Sequence, residues 1–168
     1  IIKLASNENP LGISPKALAV ISNPTDLNRY PDGNATKFKE KVSSVNNIKP
    51  SMVTVGNGSN DLIEFVAKCF LTEGDNAIYS QHGFAIYPLA IQAAGAKAIK
   101  AKAKNWGHDL SLMKDLIDEN TKIIFLATPN NPTGTVIQPE ENKSFLKEVP
   151  SFKKLLISSV CITVPVGL

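Results

Sequence analysis

The stretch Thr121-Lys122-Ile123-Ile124-Phe125-Leu126-Ala127, followed at once by Thr128-Pro129-Asn130-Asn131-Pro132-Thr133-Gly134-Thr135, decides the fold. Its first half is an almost unbroken apolar run. Such a run predicts a strand buried on both faces, as in a parallel sheet covered by helices. Its second half stops that strand with prolines, asparagines and a glycine. In open α/β sheets ligands collect at the carboxyl ends of strands, so this loop is a candidate site. The simpler reading is a Pro-Gly turn, although the density of Asn and Pro exceeds that of an ordinary connection.

Working outward, helix and strand signals alternate. Helical spacing of Leu62, Ile63, Phe65, Val66, Cys69 and Phe70 predicts a helix over 60–71, with Gly74 as its stop. Residues 77–80 read as a short strand and 85–94 as a helix ended by Gly95. Residues 97–103 alternate, with Ile99, Ala101 and Ala103 on one face and Lys100 and Lys102 on the other. A helix over 109–119, the strand at 121–127, a helix opened by Pro139 and a β-branched strand over 155–164 complete the series. The first 35 residues are loop-rich, with one short helix capped by Ser14 and begun by Pro15. The pattern predicts an α/β domain with a mostly parallel sheet, preceded by an arm that buries little by itself.

Composition narrows the function classes. The 168 residues are 43% apolar and 20% charged, which is globular and argues against disorder. A net charge of +3 without a Lys/Arg cluster predicts no nucleic-acid partner. Arg29 is the sole arginine among the 18 basic residues. No apolar run approaches the length of a membrane helix, and no signal-peptide layout opens the chain, so a cytoplasmic location is expected. Cys69 and Cys161 form neither a disulfide framework nor a metal site, and His82 and His108 lack partners at metal-ligand spacing.

Three further patches could carry chemistry. Gly56-Asn57-Gly58-Ser59-Asn60-Asp61 lies between an apolar segment and the helix at 60–71. Glycines there let a ligand approach the backbone, and the helix start favours an anion such as phosphate. The plainer alternative is a tight turn with a Ser or Asn helix cap. Phe84 to Tyr87 follows a strand, where an aromatic can cover a flat ligand or join the core. Arg29-Tyr30-Pro31-Asp32-Gly33 offers a guanidinium and a phenol to a phosphate, or is a turn with an exposed tyrosine.

Taken in order, Lys3-Leu4-Ala5-Ser6-Asn7-Glu8-Asn9-Pro10-Leu11-Gly12, Arg29 to Gly33, Gly56 to Asp61 and Pro129-Asn130-Asn131-Pro132-Thr133-Gly134 resemble the histidinol-phosphate aminotransferases. These are fold-type I, class I/II enzymes that depend on pyridoxal 5′-phosphate. The resemblance covers about residues 1–150. It implies that Ser59 and Asn60 hold the cofactor phosphate, with Asp61 adjoining. It matches Phe84 to the aromatic stacked on the pyridine ring and Asn131 to the residue bonded to the phenolic oxygen. Tyr30 matches a tyrosine that reaches the phosphate of the partner subunit in a homodimer. Glu8 and Asn9 fall on the substrate side. The implied reaction moves an amino group between histidinol phosphate and 2-oxoglutarate, both small molecules.

Other parts of that pattern are missing. The resemblance implies a strand ending in Asp-Glu-Ala-Tyr after the helix at 139–148. The chain instead runs Lys154-Leu155-Leu156-Ile157-Ser158-Ser159-Val160-Cys161, with no acidic residue after Glu148. The Ser-Lys motif of the Schiff-base lysine and its downstream arginine are also absent, so no catalytic residue is assigned, and the expectation is an incomplete, catalytically inactive fragment that keeps part of a cofactor-phosphate site. The expected organisation is an arm over 1–35, an incomplete aminotransferase large domain over 36–150, and a divergent tail over 151–168, from truncation or a frameshift, with the small domain absent. In that arrangement the strand at 121–127 and the tail at 155–164 should be partly exposed or left as open edges. A related aminotransferase, a threonine-phosphate decarboxylase-like enzyme and a non-catalytic phosphate-binding remnant stand as alternatives.

Overall fold

The computed structural model describes residues 8–25 and 27–149, and the backbone of 155–159. It divides into two compact units between Val55 and Gly56. The expected strand residues 160–164 lie outside the described residues.

In the first unit, α1 (Pro15–Ser22) starts as its sequence predicts: the Ser14 hydroxyl accepts the Ala17 N–H at 3.2 Å and Pro15 occupies the first turn. Nothing in α1 is buried, which suits an arm with little core of its own. A second helix, α2 (Thr36–Asn46), was not legible from apolar spacing. Asp32 organises its start by accepting the Asn34 N–H at 2.9 Å and the Thr36 N–H at 2.8 Å. The Thr36 hydroxyl foremost, and then these two N–H groups, hold the Asp32 carboxyl below the usual carboxylate range.

The second unit contains α3 (Ser59–Phe70), β1 (Asn76–Ser80), α4 (Ile86–Ala93), β2 (Lys97–Ala101), α5 (Leu110–Asp115), β3 (Thr121–Ala127), α6 (Pro139–Glu148) and β4 (Leu155–Ser159). All strand pairs are parallel, in the order β2-β1-β3-β4. Chain order therefore turns back between β1 and β3: β2 lies on one side of β1 and β3 on the other. The strand at 121–127 falls where its apolar run predicts, whereas the helix at 109–119 shortens to six residues behind an Asp109 cap.

Two cores sandwich the sheet. On one face Ile63, Ala67, Tyr87 and Ile91 from α3 and α4 pack against Ala77, Ile123 and Phe125. On the other, Met113 and Phe145 from α5 and α6 pack against Ile78, Ala101, Ile124 and Leu126. The expected exposure of 121–127 is thus not found: apart from Lys122, β3 is buried throughout, because helices cover both faces and β4 pairs alongside it. The outer strands of this sheet are β2 and β4.

Candidate functional site

A short turn joins the end of α3 to β1, and α3 packs on the sheet. It therefore runs antiparallel to β1, and its N-terminus lies at the carboxyl end of the strands. The Gly56–Asp61 loop consequently shares that end with the loops after β1 and β3. This is also where the strand order reverses, the place where open α/β sheets form a ligand crevice.

The start of α3 has an unusual cap. The cap residue is Gly58, with φ +81° and ψ 178°, and no side chain bonds the first turn. The expected Ser or Asn cap is replaced because Ser59 and Asn60 already lie inside the helix. A Cβ at Gly58 would meet nothing within 4 Å among the described residues, so the space beside the cap residue is open. Asp61 faces backwards: its carboxylate accepts the Asn57 N–H at 2.8 Å. Gly56 is needed for close approach, since a Cβ there would lie 2.9 Å from Asp61 Cβ.

Phe84 follows β1, half-buried against the α3/α4 core. Its ring meets Tyr87 edge-on at 6.0 Å, and Tyr87 stacks on Phe125 at 4.7 Å. An aromatic ladder thus connects the central strand to the loop. Asn131 is exposed in the loop after β3. Its neighbour Asn130 is 3% exposed, and its Nδ2 donates to the His82 carbonyl at 2.9 Å and to the Thr133 hydroxyl at 2.8 Å. Sequence reading did not single out Asn130, because an Asn-Asn pair gives no sign of which side chain turns inward.

The histidines are more than ordinary surface residues. The His82 ring lies 4.8 Å from Trp106, in the loop after β2. His108 Nε2 lies 2.9 Å from the Ala127 carbonyl oxygen and 3.3 Å from its nitrogen, against the end of β3. Burial pushes the His108 imidazole below its ordinary pKa, and the hydrogen bond to Ala127 opposes this in part. A cavity of about 700 Å³ lies on the α5/α6 side among Lys104, His108, Asp109, Thr135 and Phe145. None of Ser59, Phe84 and Asn131 lines it. Ser59 and Phe84 belong instead to the α3/α4 side, where an uncapped helix start and an aromatic face suit a flat phosphate ester.

Of the remaining expected residues, Asn9 closes a local turn: its Nδ2 donates to the Gly12 carbonyl at 2.9 Å and its Oδ1 accepts the Leu11 N–H at 3.0 Å. Glu8 and Tyr30 are exposed. All three belong to the first unit. Among the described residues no cluster of His, Cys, Asp and Glu is suited to a metal ion, and no helix is long and apolar enough to cross a membrane.

A parallel sheet between two helical layers, with an open helix start and an Asn-Pro-rich loop at one strand end, defines a recognisable class. The chain belongs to the aminotransferase class I and II family, whose model matches residues 1–158. Within that class its curated relatives include histidinol-phosphate aminotransferases. It is 49% identical over 163 residues to histidinol-phosphate aminotransferase 2 of Pseudomonas fluorescens strain Pf-5, which covers 96% of this chain and 44% of that protein. It is 52% identical over 151 residues to histidinol-phosphate aminotransferase 1 of Mannheimia succiniciproducens, covering 89% and 41%. The chain thus spans less than half the length of these relatives. Among solved structures, histidinol-phosphate aminotransferase from Sinorhizobium meliloti, in complex with pyridoxal-5′-phosphate, matches with TM-score 0.82 at 20% identity, covering 90% of this chain and 41% of that one. The enzyme from Clostridium acetobutylicum matches with TM-score 0.76 at 25% identity, covering 90% and 44%.

Proposed function

We propose that this chain carries the phosphate- and ring-holding part of a pyridoxal-phosphate-dependent aminotransferase that acts on histidinol phosphate with 2-oxoglutarate. The observation that carries the reading is the open start of α3, at the same sheet end as Phe84 and Asn131. The first-turn N–H groups of Ser59 and Asn60, with the positive end of α3, bind the phosphate. Phe84 covers one face of the ring. The Asn131 amide donates to the phenolic oxygen. When bound, the cofactor supplies the electron sink that amino transfer needs. A lysine, a ring-nitrogen carboxylate and a substrate-binding arginine in the family's sequence context are not found in these 168 residues. Their tasks therefore fall outside the part of the site described here.

The same reading makes the protein a cytoplasmic homodimer. Tyr30 then reaches the phosphate in the partner subunit, and Glu8 and Asn9 line the substrate side. The exposure of Tyr30 supports this, since among the described residues the first unit buries no apolar side chain for it to join.

Calorimetric titration tests the proposal. Deoxypyridoxine phosphate has the ring, phenol and phosphate but no aldehyde, so it cannot react with surface lysines. The chain should take it saturably, one per chain, and take the unphosphorylated ring much more weakly. Absence of saturable binding, or equal binding of both, would overturn the reading.

A further inference from the structure

Asn130 is anchored at both its side chain and its main chain. Its N–H donates to the Thr135 carbonyl at 2.8 Å, and its carbonyl accepts the Gly134 N–H at 2.7 Å. These bonds close the loop after β3 on itself. The side chain then reaches 48 residues back to the His82 carbonyl, in the loop after β1. A carbonyl only accepts, so the amide nitrogen must face it, and the orientation of the side chain follows from chemistry. Among the described residues the Asn130 Oδ1 is left buried with no partner. A buried amide with an unmet acceptor is costly, which argues that its two donor bonds have a purpose beyond solubility or turn formation.

That purpose is visible in what stands beside the bond. His82 is two residues before Phe84, and Asn130 is one residue before Asn131. The bond therefore joins the two loops at the points nearest the residues assigned to the ring face and the phenolic oxygen. The His82 ring also rests on Trp106, so the loop after β2 braces the same point. We propose that Asn130 is a positioning residue that sets the spacing between Phe84 and Asn131, and so fits the site to a flat ring of fixed thickness. This inference rests on the cofactor reading above.

The test compares the wild-type chain with Asn130→Asp and Thr133→Val. Asn130→Asp keeps the shape but turns an oxygen without a hydrogen toward the His82 carbonyl. Thr133→Val removes the local acceptor and leaves the His82 bond. One readout is amide hydrogen exchange at residues 81–85, with the amides of β1 and β3 as internal reference. The other is affinity for deoxypyridoxine phosphate beside affinity for inorganic phosphate. In Asn130→Asp we expect exchange at 81–85 to rise about tenfold and ring-probe affinity to fall about tenfold, the order of one lost hydrogen bond. Phosphate affinity and strand protection should stay unchanged, and Thr133→Val should change each quantity by less than about threefold. Should Asn130→Asp lose strand protection, Asn130→Ala is read in the same way.

Unchanged exchange at 81–85 overturns the proposal, because the loops are then not joined by this bond. A parallel fall in ring-probe and phosphate affinity overturns it as well, since that marks general damage. A wild-type chain that does not take the ring probe overturns the cofactor reading, and this inference with it. A wild-type chain that does, with Asn130→Asp binding equally well, overturns the inference alone.

Discussion

Replacing Thr121 by Val should weaken the fold without touching the ligand end. Thr121 is 1% exposed at the amino end of β3, opposite Asn76, which is 4% exposed. Its hydroxyl donates to Asn76 Oδ1 at 2.8 Å and accepts the Asp118 N–H at 3.0 Å. Asn76 Nδ2 is committed to Asp118 Oδ1 at 2.7 Å, so the amide cannot turn round to find another donor for its oxygen. Valine has the same shape but cannot donate, and it leaves Asn76 Oδ1 buried and unpaired. That penalty is about 1–3 kcal/mol, reduced by the added methyl, worth about 0.8 kcal/mol when buried. A net loss of about 0.2–2.2 kcal/mol is expected, against a total stability of about 5–15 kcal/mol for an ordinary domain. Thr121→Ser keeps the hydroxyl and should lose less than Thr121→Val. Urea unfolding followed by far-UV circular dichroism measures both variants. If valine proves as stable as threonine, or serine proves the worse of the two, the hydrogen-bond argument is wrong and packing controls the site. The position also matters for register. Asn76 faces Thr121 but Ala77 faces Ile123, so Lys122 is an extra residue on β3, and this network pins the irregularity.

Gly58→Ala should cost about 1–3 kcal/mol from backbone strain, because its φ of +81° with extended ψ is essentially a glycine conformation; Gly33→Ala, at an ordinary φ and in open space, is the matched control in the same melt. Phe125→Ala should cost about 3–5 kcal/mol by removing a fully buried ring and the stack under Tyr87; a loss below 1 kcal/mol by urea titration would contradict the assignment of β3 to the core. His108 has its folded pKa lowered by burial, so the unfolded chain binds the extra proton first. Stability should be full above the ordinary histidine value of 6.5, fall as pH drops below it, and level off beneath the folded value; His108→Gln should flatten that dependence in unfolding curves across pH 5 to 8. Asp118 acts in the same direction at lower pH, its carboxyl held below the ordinary 3.8 chiefly by the Asn76 amide. Its contribution is present above that value and is lost as pH falls through the folded one, so acid unfolding should shift to higher pH in Asn76→Ala.

What could be read from residues alone follows the strength of the local signal. The run at 121–127 stood out because a strand buried on both faces leaves no polar alternation to blur it, and the structure reproduces its limits. The start of α1 was equally plain, since Ser14 and Pro15 act within one turn. Helix α2 was missed because TKFKEKVSSVN buries only Ser43, so apolar spacing had little to report; its start depends on Asp32, four residues upstream. The cap of α3 was misjudged for a related reason. Ser59 and Asn60 are good caps by type, but the positive φ of Gly58 moves the helix start one residue ahead of them. The expected exposure of β3 failed because it was argued from missing neighbours in sequence, whereas the cover comes from α3 to α6, all within the chain.

The two ends of the sheet illustrate why the candidate site was only half legible. At the amino end, Asn76, Asp118 and Thr121 satisfy one another almost completely, and the group serves register and stability. At the carboxyl end, the helix start is left without a side-chain cap, and among the described residues buried Asn130 keeps an acceptor unmet. A stretch selected for stability alone has no reason to leave a helix start without a side-chain cap, because a serine or aspartate cap would stabilise the helix by about 1 kcal/mol. The residues expected to touch a ligand were recognisable because their types suit its chemistry. Asn130, His82 and Trp106 only hold others in place, and their partners are a main-chain carbonyl and a neighbouring ring, which no residue type announces. Such bracing becomes visible only when the loops after β1, β2 and β3 are brought side by side. The same residues are therefore where a substitution should alter ligand fit while leaving the strands intact.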